Sequence, residues 1–199
     1  MTQRAPLGVI LAGGLSRRMG GGDKALLNLG AKPLLAHVIE RLSPQVDDLV
    51  LNANGDPARF SEFNTPVVAD TVPDFAGPLA GVLAGLDAAA ERGASQIVTV
   101  AADTPFFPAD LVPRLQLACE GMSVPLALAA TDGLHPTFGL WSTDLRAPLR
   151  NALEGGTRKV IVFAQAHNAQ TATFPAEPFD PFFNVNRPED LQAAEARLA

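Results

Sequence analysis

Apolar runs alternate with amphipathic stretches through the first 120 residues of the chain. Four apolar runs predict buried strands, at 7–12, 49–53, 66–69 and 96–102. Three stretches carry apolar residues at helical spacing, at 33–42, 79–92 and 108–120. Pro33 suits the first turn of the first helix, and Gly93 suits the end of the second. Strands and helices that alternate in this order predict an α/β fold, with a mostly parallel sheet and helices on both faces.

The second half of the chain is less regular and predicts a different strand pairing. Apolar runs at 124–131 and 136–141 are joined through Asp132-Gly133, a dipeptide typical of hairpin turns, so part of the sheet is expected to be antiparallel. The run at 158–164 is compatible with either a helix or a strand, because it is too short for periodicity to decide. The remaining elements are expected to be a helix at 143–153, strands at 169–174 and 182–185, and a closing helix from Pro188.

A loop rich in glycine and basic residues follows the first predicted strand. Residues 13–24 contain five glycines, two arginines and one lysine. Glycine lets backbone N–H groups approach a ligand closely, and Arg17, Arg18 and Lys24 supply the positive charge that phosphates attract. Nucleotides bind at the carboxyl ends of strands in α/β sheets, so the position of this loop favours a nucleotide site over a solvated surface loop.

The loop matches neither of two common phosphate-binding patterns. It lacks the Gly-x-Gly-x-x-Gly pattern of dinucleotide enzymes, and Ala25 follows Lys24 where a P-loop requires Ser or Thr. Hydride transfer and P-loop chemistry are therefore excluded. We expect a longer loop that wraps a triphosphate, with Arg18 and Lys24 stabilising the charge on the phosphate oxygens.

Two carboxylates follow predicted strands and are candidates for binding a metal ion with the phosphates. Asp103 comes directly after the strand at 96–102, and Asp70 follows the strand at 66–69. Mg²⁺ is commonly held by one or two carboxylates together with ligand phosphates. Either Asp could instead cap a turn or a helix. Their position on the same rim as the cationic loop favours the metal and nucleotide site, with Asp103 as the better candidate.

Composition narrows the classes of partner. The formal charge of −6 and a pI near 5.0 argue against a nucleic-acid partner. Cys119 is the only cysteine, which excludes an intrachain disulfide and a cysteine zinc site and predicts a small buried side chain. No apolar run approaches the ~20 residues of a membrane span, and no signal peptide is apparent. We therefore expect a cytoplasmic protein without membrane contact and, at 199 residues, with a single domain.

Five separated motifs resemble the molybdenum cofactor guanylyltransferase family of nucleotidyltransferases, in order and over most of the chain. They are Leu-Ala-Gly-Gly-x-x-Arg-Arg-Met-Gly-x-x-Asp-Lys at 11–24, Gly-Pro-Leu-Ala-Gly at 77–81, Asp-Thr-Pro at 103–105, His-Pro at 135–136 and Asn-Val-Asn at 184–186. The resemblance implies a single-domain, Rossmann-like nucleotidyltransferase fold over 1–199. It also implies a nucleotide-binding half at about 1–105 and an acceptor-binding half at about 106–199.

The activity implied by the resemblance is transfer of GMP from GTP to the terminal phosphate of molybdenum-molybdopterin, with release of pyrophosphate. The acceptor phosphate is largely ionised at neutral pH, so no protein base is required. Catalysis would rest on positioning and charge neutralisation by Arg18, Lys24 and Asp103, with Asp103 as the ligand of Mg²⁺.

The resemblance also assigns the binding residues and the partners. The nucleotide would contact Leu11, Ala12, Gly13, Gly14, Lys24, Asn52, Asp70 and Asp103. The acceptor would contact Gly77, Pro78, Gly81, Asn184 and Asn186. Besides GTP and molybdenum-molybdopterin, the expected partners are a protein that delivers molybdopterin and a molybdoenzyme that receives the product.

The sequence is also compatible with three other functions. The nearest alternatives are a cytidylyltransferase for the same cofactor and a sugar-phosphate nucleotidyltransferase. Gly14 favours guanine, because cytidylyl relatives resemble Leu-Ala-Ala-Gly at this point and a second glycine leaves more room for a purine. A non-catalytic nucleotide-binding module is the third alternative, which the combination of Arg18, Lys24 and Asp103 disfavours.

Overall fold

Seven strands form one twisted sheet in the computed structural model, which describes residues 5–13, 23–72 and 77–198. The strands of the described part are β1 (Leu7–Leu11), β2 (Asn28–Leu29), β3 (Lys32–Pro33), β4 (Asp48–Asn52), β5 (Val67–Val68), β6 (Gln96–Ala101), β7 (Leu126–Ala130), β8 (Leu134–Ser142) and β9 (Gln170–Thr173). The helices are α1 (Leu34–Leu42), α2 (Pro78–Glu91), α3 (Leu111–Ala118), α4 (Arg146–Glu154), α5 (Val160–Ala166) and α6 (Pro188–Glu195).

The main sheet has the order β5-β4-β1-β6-β8-β7-β9. β8 is antiparallel to both of its neighbours, whereas the other pairs of adjacent strands are parallel. The predicted fold, a mostly parallel sheet with an antiparallel part, is confirmed. The hairpin predicted through Asp132-Gly133 joins β7 and β8, and β2 and β3 pair separately as a short ribbon that the sequence analysis did not predict.

Helices cover both faces of the sheet, as predicted. One face packs against α1 and α3 in a core that contains Ile10, Leu35 and Leu111. The other face packs against α2, α4 and α5, around Val9 and the fully buried Trp141. Successive residues of a strand point to opposite faces, which places Val9 and Ile10 in different cores. α6 packs on a third, smaller cluster beside β2.

Three stretches of the second half need comment: one prediction is wrong, one ambiguous run is resolved, and one predicted helix has a different first turn. The predicted strand at 182–185 is wrong: Phe182 and Val185 are buried in different clusters, and the Val185 N–H donates to the Asp103 carbonyl (2.9 Å) instead of to a strand. The ambiguous run at 158–164 forms most of α5. The helix predicted at 143–153 begins with a 3₁₀ turn, Thr143–Leu145, before α4. Within the described ranges, no helix is long and apolar enough to cross a membrane.

Candidate active site

The candidate active site is a cleft of about 580 Å³ at the carboxyl ends of β1, β4 and β6. The chain runs from β1 outward to β4 and β5, and it then returns to β6 on the other side of β1. This reversal creates the crevice in which α/β sheets bind ligands. The described residues that line it are Leu11, Ala12, Gly13, Asp23, Asn52, Asn54, Arg59, Asp70, Gly77, Pro78, Ala101, Asp103, Thr137 and Asn184.

Most of the predicted binding residues therefore meet in one cleft. The Ala12 N–H donates to the Asn52 carbonyl (2.9 Å) and the Ala102 N–H donates to the Leu11 carbonyl (3.1 Å), so the backbone of 11–13 is held between β4 and β6. The small side chains of Ala12 and Ala101 leave room above the strand ends. The predicted contributions of Gly14 and Arg18 lie outside the described residues.

Asp70 is held by two asparagine amides on the wall formed by β4 and β5. The Asn52 amide donates to one carboxylate oxygen (3.0 Å), and the Asn54 amide donates to the other (2.7 Å). The Asp70 N–H donates in return to the Asn54 side-chain oxygen (2.9 Å). A carboxylate has more acceptor positions than these two bonds fill. Asp70 is thus a fixed acceptor for the hydroxyl or N–H groups of a ligand.

Lys24 binds two oxygen atoms that come from distant parts of the chain. Its ammonium group donates to Asp103 Oδ2 (2.5 Å) and to Asn186 Oδ1 (2.5 Å). Asp103 follows β6, Asn186 precedes α6, and the backbone bond between Val185 and Asp103 holds the two segments together. Two of the three predicted catalytic residues are thus in direct contact, and Asn186, predicted for the acceptor, joins them.

Thr104 fixes this corner of the site from below. Its fully buried hydroxyl can donate to either of two oxygens within hydrogen-bond distance, Asp103 Oδ1 (3.1 Å) and Asn184 Oδ1. One hydroxyl therefore sets the positions of both a predicted catalytic carboxylate and a predicted acceptor-binding residue. The sequence analysis noted Thr104 only as part of a motif.

Asp103 is the residue of this corner that could hold a hard divalent cation. Lys24 takes its Oδ2 and Thr104 lies 3.1 Å from its Oδ1, but an ionised carboxylate has further acceptor positions, and carboxylate oxygens suit Mg²⁺. In the part of the chain that the structure describes, no group of three or more His, Cys, Asp or Glu side chains could hold a metal ion. A cation at this position would therefore need ligand phosphates to complete its coordination.

The motif at 77–81 divides between the cleft and the core. Gly77 has a φ of +144°, a conformation that favours glycine, and Pro78 occupies the first turn of α2, so the pair ends a loop and starts a helix at the cleft. Gly81 does not line the cleft. It is buried under Asn52 and Leu11, and a Cβ there would lie only 2.3 Å from Asn52 Oδ1. Gly81 thus supports the wall that carries Asn52 and Asp70, and the structure does not place it among the lining residues, although it was predicted to contact the acceptor.

Five lining residues were not predicted as site residues: Asp23, Asn54, Arg59, Ala101 and Thr137. Asn54 had a signal in the sequence, because it lies in the polar segment after a predicted strand, as Asn52 does. Arg59 had none, since it belongs to the 3₁₀ segment Pro57–Phe63, whose composition suggested only a connection. Thr137 lies on β8, whose antiparallel direction brings the first half of the strand to this edge of the sheet.

The histidines take no part in the described lining of the cleft. His37 bonds to the Leu29 carbonyl (2.9 Å), and His167 packs on Phe163. His135 stacks on Phe182 and bonds to the Thr131 hydroxyl (2.8 Å). Burial lowers the pKa of His135, and the nearby Asp180 opposes this shift.

Known proteins resemble this chain in sequence. The model of the MobA-like NTP transferase domain matches residues 8–170. A relative named molybdenum cofactor guanylyltransferase, from Bradyrhizobium sp. (strain ORS 278), is 55% identical over all of this chain and 95% of its own. A relative of the same name from Rhodopseudomonas palustris (strain HaA2) is 52% identical over 96% of this chain and 91% of its own.

The fold likewise matches a solved structure. The crystal structure of molybdopterin-guanine dinucleotide biosynthesis protein A from Archaeoglobus fulgidus superimposes with a TM-score of 0.73 and 25% identity, and the match covers 96% of this chain and 98% of that one. The similarity thus extends over the whole length of both chains, beyond the cleft itself.

Proposed function

The chain belongs to the MobA-like NTP transferase family, and we propose that it transfers GMP from GTP to the terminal phosphate of molybdenum-molybdopterin. The products are pyrophosphate and the guanine dinucleotide form of the molybdenum cofactor. The observation that carries the proposal is the convergence of Lys24, Asp103 and Asn186 at the end of β6, beside the held carboxylate of Asp70. We place the reaction in the cytoplasm.

The two walls of the cleft suit two different substrates. The wall with Asn52, Asn54 and Asp70 presents fixed hydrogen-bonding groups to the nucleoside end of GTP. On the opposite side, Asn184 and Thr137 face the space left for the acceptor. Amide side chains offer both donors and acceptors, which matches the edge of a pterin ring. The reacting phosphates then lie between the walls, next to Lys24 and Asp103.

The chemistry is a displacement at the α-phosphate. An oxygen of the acceptor phosphate forms the new P–O bond, and the bond to the pyrophosphate oxygen breaks. Phosphate monoesters have a second pKa of about 6, so the attacking oxygen is mostly ionised at neutral pH and no general base is needed. Lys24 and Arg18 stabilise the charge that develops on the phosphate oxygens.

Mg²⁺ is the proposed metal, and Asp103 would be its protein ligand. Bound there, it would neutralise phosphate charge and orient the triphosphate. Lys24 supplies a positive charge at the same corner. A protein that delivers molybdopterin and a molybdoenzyme that receives the product are the proposed protein partners.

Pyrophosphate release separates this proposal from its alternatives. The purified protein is incubated with Mg²⁺ and molybdenum-molybdopterin, and release is measured with GTP or with CTP. We expect release with GTP to exceed release with CTP by at least about tenfold, the ratio that about 1.4 kcal/mol produces. A preference for CTP would identify a cytidylyltransferase, and tight GTP binding without release would identify a non-catalytic module.

A further inference from the structure

Arg59 is held at the wall of the cleft by two hydrogen bonds, an aromatic ring and an ion pair. Its two terminal nitrogens donate to the carbonyls of Asp56 (2.8 Å) and Asn54 (2.5 Å). The guanidinium lies over the ring of Phe60, 4.6 Å from the ring centre, and its Nε forms an ion pair with the carboxylate of Asp23. The side chain is thus fixed in one position.

The position of Asp23 makes this ion pair significant. Asp23 directly precedes Lys24 and lines the cleft together with two other carboxylates, those of Asp70 and Asp103. Lys24 neutralises Asp103, whereas uncharged amides hold Asp70. Among the lining residues that the structure describes, Arg59 is the only cation. Without it, the carboxylate of Asp23 would add negative charge to a cleft in a chain that already carries a net charge of −6.

We propose that Arg59 is a positioning residue for the nucleotide: it holds and neutralises Asp23, so that an anionic polyphosphate meets no unpaired carboxylate at this wall. The Asp23 and Arg59 side chains are only 21% and 27% exposed, so water screens the charge of Asp23 incompletely. The inference rests on the proposed function only in requiring that the cleft bind a nucleoside polyphosphate.

A series of nucleotides tests the charge argument directly. Arg59→Ala is titrated calorimetrically with GTP, GDP and GMP in the presence of Mg²⁺. We expect the Kd for GTP to rise by about tenfold and the Kd for GMP by about twofold or less, because repulsion grows with the number of phosphate charges. The double variant Arg59→Ala, Asp23→Asn removes both charges and is expected to bind GTP within about threefold of the wild type.

Arg114 provides a matched control at a distance from the cleft. It also forms an ion pair with an aspartate, Asp110, and its guanidinium also lies over an aromatic ring, that of Phe174. Arg114→Ala changes the net charge by the same amount, and it is expected to leave the Kd for GTP within about twofold of the wild type.

Three results would overturn the inference. Arg59→Ala could weaken GTP, GDP and GMP equally, it could change none of them, or the Asp23→Asn exchange could fail to restore binding. If Arg59→Ala does not fold, as judged by thermal unfolding, Asp23→Asn alone decides: tighter binding of GTP than in the wild type supports the inference, because Arg59 is then an unpaired cation at the cleft, and equal or weaker binding contradicts it. A wild-type protein that prefers CTP would contradict the proposed function alone, and the same series would then be run with CTP, CDP and CMP.

Discussion

Replacing Gly81 with alanine is expected to disturb the nucleotide wall without changing a polar residue. A Cβ at this position would lie 2.3 Å from Asn52 Oδ1 and 2.8 Å from Leu11 Cδ2. Ordinary contact begins at about 3.4 Å, so the Asn52 side chain would have to move by roughly 1 Å. Asn52 is 4% exposed and donates to the Asp70 carboxylate, and a movement of that size breaks the bond.

Two free energies follow from this geometry. Overpacking costs about 1–3 kcal/mol, and the better helix propensity of alanine returns about 1 kcal/mol, so the free energy of unfolding should fall by about 0–2 kcal/mol. A hydrogen bond to a charged group contributes about 1.5–3 kcal/mol. If Asp70 loses its position with the bond, the Kd for GTP should rise by about 10- to 100-fold.

Gly85, one turn further along α2, separates the effect on the site from the effect on packing. A Cβ there would lie 2.7 Å from Val9 Cγ2 and 3.2 Å from Ile97 Cδ1, both in the core. Urea unfolding should show similar losses for Gly81→Ala and Gly85→Ala, whereas calorimetric titration with GTP should show weaker binding for Gly81→Ala only. Equal Kd values for the two variants, or wild-type binding by Gly81→Ala, would refute the role assigned to the contact with Asn52.

Three further predictions concern single side chains. Asp103→Ala should lower turnover by about 10²–10³-fold in a chain that still folds but with a lower Tm, because Lys24, 13% exposed, loses its charged partner and Mg²⁺ loses its proposed ligand; wild-type rates of pyrophosphate release would contradict this role. Because burial lowers the pKa of His135, the unfolded chain takes up a proton more readily than the folded one, and the free energy of unfolding should decrease as pH falls below about 6.5. The free energy of unfolding in urea should change less between about pH 7.5 and 5.5 for His135→Gln than for the wild type. An equal change in the two proteins would contradict the assignment of this pH dependence to His135. Burial raises the pKa of the Cys119 thiol to about 11, so intact mass should show alkylation by iodoacetamide at about pH 8 only after denaturation, and modification of the native protein would contradict the assigned environment.

Local sequence patterns predicted the sheet and one side of the cleft. The apolar runs before Asn52, Asp70 and Asp103 end at one edge, because parallel strands place their carboxyl ends together. The residues between strands were harder to predict. Arg59 lies in a short 3₁₀ segment without periodicity. Its proposed role depends on an ion pair with Asp23, 36 positions away, and local sequence patterns cannot predict a contact between residues so far apart.

The strand predicted at 182–185 is the opposite kind of error, because a run of apolar residues was interpreted as a strand that does not form. Phe182 and Val185 are apolar because each fills a separate cluster, and no neighbouring strand pairs with them. The contact between Asn186 and Lys24 likewise could not be predicted from the type of residue alone. An asparagine before a proline-started helix suits a turn, and only the three-dimensional contact with Lys24 connects it with the reacting phosphates.

The hydrogen bond between Lys24 and Asn186 has a consequence for how the protein is made. It joins residues 162 positions apart, whereas Lys24 and Asp103 are 79 positions apart. Loop-closure entropy grows only with the logarithm of loop length, so the longer loop costs about 0.6 kcal/mol more to close than the shorter one. During synthesis, β1, β4 and β6 leave the ribosome well before α6 exists. A nascent chain therefore holds Lys24 and Asp103 before it has Asn186, so the contact among all three residues is completed only when the segment before α6 docks.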